Sequence, residues 1–73
     1  MEYRITCIQK AVTEDSVAVT ELGGVDAQGE RWAMSVEEAA EVIAAGARFL
    51  LGDSPLAEID PGSKDLLKLP SCP

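Results

Sequence analysis

Ser35-Val36-Glu37-Glu38-Ala39-Ala40-Glu41-Val42-Ile43-Ala44-Ala45-Gly46 is the stretch on which the fold turns. It opens as a capping box, in which the Ser35 hydroxyl and the Glu38 carboxylate each satisfy an amide N–H that a first helical turn leaves unpaired. Val36, Ala39, Ala40 and Ile43 then recur at the i, i+3, i+4, i+7 spacing of a buried stripe. Gly46 stands where a left-handed C-terminal cap belongs. The spacing predicts one helix of about three turns. Glu37, Glu38 and Glu41 fall within an arc of roughly 100° opposite that stripe, so the helix shows an acidic face to the outside.

Upstream of the helix the period changes from that of a helix to that of a strand. Tyr3 to Gln9 alternates imperfectly, with Tyr3, Ile5 and Cys7 on one side and Arg4, Thr6 and Ile8 on the other, and its β-branched and aromatic content suits a strand. Lys10 to Asp15 reads as a turn. Ser16 to Leu22 alternates again, with Val17 and Val19 opposite Ala18, Thr20 and Leu22, and a hairpin is the simplest pairing of the two. Gly23-Gly24 breaks the pattern, Asp26 to Gly29 supplies a second turn, and Arg31 to Met34 makes a short third strand. Downstream, Arg48 to Leu51 and Leu56 to Ile59 read as strands separated by a turn over Gly52 to Pro55, and Pro61 to Lys64 makes the last turn. Leu66 to Leu69 is too short for periodicity to choose between a closing sixth strand and a helix. The expected architecture is α+β: a small, mainly antiparallel sheet against one helix, in the order βββαββ, within a single domain of residues 1–73 whose end, 70–73, is an irregular tail.

Composition narrows the function. The chain has 73 residues, 47 % of them hydrophobic and 26 % charged, the balance of a folded domain rather than a disordered acidic tail. A core this small is marginal and leaves room for homo-oligomerisation. No apolar run reaches the length of about 20 residues that a membrane span needs, and the N-terminus lacks a signal-peptide layout, so a cytoplasmic location without membrane contact is expected. Thirteen acidic against six basic side chains give a net charge of −7, and the bases are scattered singly, which opposes direct nucleic-acid binding and favours a partner with a basic surface.

Catalytic inventory is thin. There is no histidine, hence neither the commonest general base near neutral pH nor the commonest zinc ligand. Cys7 and Cys72 lie at opposite ends of the chain, and a lone pair without a secretory signal is not a disulfide framework, so both are expected to be thiols, one buried and one in the loose tail. No metal, cofactor or catalytic residue is assigned, and no enzyme is expected. Gly23-Gly24 with Gly29 matches neither phosphate-binding glycine motif and reads as turn geometry. Trp32, the single tryptophan, reads as a core anchor together with Tyr3 and Phe49.

The segment from Val19 to Phe49, V-T-E-L-G-G-V-D-A-Q-G-E-R-W-A-M-S-V-E-E-A-A-E-V-I-A-A-G-A-R-F, resembles an uncharacterised family of short bacterial and phage-associated proteins. That family pairs a Gly-Gly turn with G-x-x-W, a serine- or threonine-capped E-E-A helix ending at glycine, and an opening strand like Tyr3 to Ile8. It closes on a longer pair of strands, where this chain offers only Leu66-Leu67-Lys68-Leu69. Gly23, Gly24, Trp32, Ser35 and Gly46 are the structural positions of the pattern; the resemblance supports the fold and transfers no active site.

The leading expectation is a non-enzymatic interaction protein that uses Glu37, Glu38 and Glu41 to bind another protein. In its sharper form it is a phage or mobile-element inhibitor, anti-CRISPR-like, whose carboxylates occupy a basic channel of a nucleic-acid-handling complex. The alternative is a small-ligand or enzymatic domain with a pocket near the Gly-Gly turn and Trp32.

Overall fold

β-Branched and aromatic side chains carry the first strand, β1, from Glu2 to Val12 in the computed structural model, which describes residues 1–73. It pairs antiparallel with β2 (Val17–Asp26), which pairs antiparallel with β3 (Arg31–Ser35). After the helix α1 (Val36–Ala44), β4 (Arg48–Leu51) lies parallel to β1 on its other side, and β5 (Ser54–Leu56) pairs back on β4. The sheet order is β3-β2-β1-β4-β5. The expected βββαββ order therefore stands, in a mainly antiparallel sheet with one parallel pair at its centre. β3 and β4 run the same way, so α1 is the crossover between them, passing over one face of the sheet. No helix is long and apolar enough to cross a membrane.

Helix α1 is closed at both ends by the residues its sequence named. The Ser35 hydroxyl accepts from the Glu38 amide at 3.1 Å. Only this serine half of the capping box forms, with no bond returning from the Ser35 amide to the Glu38 carboxylate. At the other end the Gly46 amide donates to Ile43 and the Ala47 amide to Val42, with Gly46 at φ 103°, which is the Schellman arrangement. Ala39 is fully buried and Val36, Val42 and Ile43 pack around it, whereas Ala40, expected in the stripe, is exposed.

The core lies between α1 and the sheet: Tyr3, Ile5, Ile8, Val19, Leu22, Ala39, Phe49 and Leu66. Its membership departs from simple alternation for a definite reason. Ile5 pairs with Gly24 but Cys7 with Gly23, so Thr6 is an extra residue on β1; Gln9 pairs with Glu21 but Lys10 with Val19, so Thr20 is extra on β2. Each bulge shifts the alternation by one residue. Ile8 thereby joins Tyr3 and Ile5 in the core while Cys7 turns to the opposite face, and Val19 joins Leu22 rather than opposing it. Gly23 and Gly24 are not a turn but the middle of β2. A Cβ on Gly24 would stand 1.8 Å from the Arg4 carbonyl oxygen, so the glycine is required by the backbone approach at the first bulge.

The C-terminal segment also differs from expectation. Leu66-Leu67 belongs to a one-turn helix, α2 (Lys64–Leu67), capped by the Ser63 hydroxyl, and Leu66 is driven into the core. No sixth strand forms there. Pro70 to Cys72, expected as a loose tail, instead lies alongside β1: the Ile8 amide donates to Pro70, the Cys72 amide donates to Ile8, and Ile8 and Ser71 form a parallel bridge. The far end of the β1–β2 hairpin extends past this packing, with Val12 and Val17 exposed and a turn over Thr13–Ser16 held by the Thr13 hydroxyl.

Candidate functional site

Two surfaces carry the residues singled out in the sequence, one on the helix and one on the opposite face of the sheet. On α1, Glu37, Glu38 and Glu41 are all exposed. Glu37 and Glu38 occupy the first turn, where the aligned peptide dipoles favour negative charge. Glu21 is also exposed and, as the register partner of Ser35, lies at the start of the same helix. None of these carboxylates forms an ion pair within the chain. The single salt bridge, Arg4 to Asp53 at 3.6 Å, belongs to the β1 and β4–β5 end of the sheet, where the Arg4 guanidinium also donates to the Gly52 carbonyl at 2.7 Å.

The opposite face of the sheet is not covered by either helix. Cys7 was turned to that side by the Thr6 bulge, and it is joined to Cys72 by a disulfide. The expectation of two thiols is overturned. It failed because the separation of 65 positions in sequence conceals a neighbourhood made by β1 and the returning C-terminus. Gly23 lies beneath the bond: a Cβ there would stand 2.9 Å from both sulfurs. The even cysteine count was the one sequence signal for this pairing.

Beside the disulfide is a shallow hollow of about 600 Å³, open to solvent, bordered by Gly23, Gly24, Val25, Arg31, Ala33 and the chain end at Pro73. Small residues on adjacent strands leave it unfilled. It lies where the alternative reading placed a pocket. Trp32 contributes to the border, but its ring packs into the core, with centroids 5.3 Å from Tyr3 and 5.4 Å from Phe49, both edge-to-face. Its indole N–H is buried without a hydrogen-bond acceptor. No group of three or more Cys, Asp or Glu side chains is arranged to hold a metal ion.

The structure thus keeps the sequence-named residues apart. Glu37, Glu38 and Glu41 share the helix face, Gly23 and Gly24 floor the hollow, Ser35 and Gly46 cap α1, and Trp32 belongs to the aromatic core. No family model, curated protein or solved structure matches the chain.

Proposed function

We propose that the chain is a non-enzymatic module that binds a basic surface of another protein through the acidic face of α1. The reading rests on one observation: Glu37, Glu38 and Glu41 are exposed together on a capped helix and have no intramolecular cation. Charges left unpaired in this way add to on-rate and partner choice through the field they project. The sharper form is an inhibitor that fills a basic channel of a nucleic-acid-handling complex, in the manner of an anti-CRISPR. The net charge of −7 supports it. The disulfide weighs against the cytoplasmic placement expected from the sequence, since such bonds persist chiefly in oxidising compartments.

The test is affinity capture from bacterial lysate with tagged protein at low and high salt, repeated with Glu37→Lys, Glu38→Lys and Glu41→Lys combined. A triple glutamine variant serves as the control that spares the helix N-terminus from added positive charge. Recovery of a specific partner that falls about tenfold or more on reversal, and also falls with salt, supports the proposal. Undiminished recovery by the reversed variant removes it. The second reading, a small ligand in the hollow beside Gly23 and the disulfide, is favoured by the volume of that hollow. Binding there is untouched by the same charge reversal.

A further inference from the structure

We propose that the Cys7–Cys72 bond is a redox latch: its reduction releases residues 70–73 from β1 and removes one wall of the hollow, while the sheet and α1 stay folded. The non-covalent hold on this segment is slight. The Ile8 amide donates to the Pro70 carbonyl at 3.0 Å, the Cys72 amide to the Ile8 carbonyl at 2.9 Å, and the Gln9 side-chain amide to the Cys72 carbonyl at 2.8 Å. All of these bonds go to β1, and no side chain from 70 to 73 joins the hydrophobic cluster. Hydrogen bonds of modest net value, with no apolar burial beside them, do no more than match the entropy of ordering the residues that make them. The covalent bond therefore decides whether the segment is docked. Just before it the anchorage is of another kind. Leu66 is buried in the core, and Leu69 packs against the same cluster with its amide bonded to the Leu66 carbonyl. The released stretch accordingly begins at Pro70.

Both sulfurs are within reach of a reductant, because Cys7 and Cys72 are half-buried and border a hollow that is open to solvent. A dithiol supplies the chemistry. One of its thiolates attacks a sulfur of the pair, forms a mixed disulfide with it and expels the other sulfur as a thiolate, which takes up a proton. The second thiolate of the reductant then closes the reductant's own disulfide and frees the remaining protein sulfur, which is protonated in turn. Two electrons and two protons thus pass to Cys7 and Cys72, and an oxidised small-molecule disulfide such as that of glutathione reverses the exchange. With the bond open, residues 70–73 no longer border the hollow, and the Ile8 N–H and C=O lose their partners. The acidic face of α1 lies on the other side of the sheet, so the latch is independent of binding through Glu37, Glu38 and Glu41.

The experiment follows the full chain by nuclear magnetic resonance in oxidised and in reduced dithiothreitol, without denaturant, with alkylation and mass measurement to count open thiols. Reduction is expected to open both cysteines, to lower the heteronuclear NOEs of Ser71 and Cys72 to those of unstructured chain, and to speed exchange of the Ile8 amide about tenfold or more. The Asp26 and Ala47 amides, bonded to Glu30 and Val42, keep their shifts, and reoxidation restores the first spectrum. Cys72→Ser, which leaves β1 unaltered, is expected to match the reduced spectrum in either buffer. Ser71 and Cys72 that stay ordered after reduction overturn the proposal, since the hydrogen bonds then suffice. Loss of dispersion throughout also overturns it, and makes the bond a staple of the whole fold. So does a bond that opens only when denaturant is added, which would mean that the sulfurs are closed to thiols.

Discussion

Gly23 and Gly24 occupy adjacent positions and have different reasons for lacking a side chain. Gly24 is excluded from bearing a Cβ by the Arg4 carbonyl oxygen at 1.8 Å, a main-chain atom that cannot move without breaking the bulge. Gly29, in the β2–β3 turn, has open space around it and is needed only for its φ of 80°. Gly24→Ala is therefore expected to cost about 3 kcal/mol, an overpacking penalty. Gly29→Ala costs about 1 kcal/mol, the penalty of a left-handed backbone. Urea denaturation midpoints of the two variants check the contrast; equal costs would mean that the bulge yields. Neither reason was legible in the sequence, where a glycine pair signals a turn. What Gly24 avoids lies on another strand, and only the register brings it there.

Elements whose determinants are local were readable, and those fixed by pairing were not. Ser35, the apolar spacing from Val36 to Ile43 and Gly46 lie within one short stretch, and the helix appears where they say. β4 was equally plain. The faces of β1 and β2 were misread beyond Ile5 because Thr6 and Thr20 are extra residues that no alternation announces. β5 came earlier than expected because Gly52, with φ 64°, makes a two-residue turn with Asp53 that brings Ser54 directly back onto Leu51. At this scale the N-cap offers a measurement. Ser35→Ala removes the acceptor of the Glu38 amide and is expected to cost about 1 kcal/mol, with amide exchange in the first turn of α1 rising more than in its last. A uniform rise along the helix would count against a local cap.

The whole molecule is held by a bond between its two ends. The Cys7–Cys72 link closes 65 positions of chain, and the loop-closure account gives such a bond about 4 kcal/mol of stability through the unfolded state. That is a large share of the total of roughly 5 to 15 kcal/mol typical of a folded protein. Cys7→Ser with Cys72→Ser is expected to lower the denaturation free energy by about that amount and to free the Ile8 and Cys72 amides to exchange. Unchanged stability would mean that the hydrogen bonds from Pro70 to Cys72 and the burial of Leu66 hold the end in place alone. The sequence hid this closure because α2 interposes a helical turn before the returning segment. The candidate acidic face, by contrast, was legible residue by residue, since exposure on a short capped helix follows from spacing alone.

The same disulfide makes most of the chain covalently circular. A peptide bond cut anywhere between Cys7 and Cys72, including in the protruding turn at Thr13–Ser16, yields two fragments that still travel as one molecule until a reductant reaches the sulfurs. Proteolysis of the exposed hairpin is therefore a nick rather than a loss, and severance needs two separate chemical events.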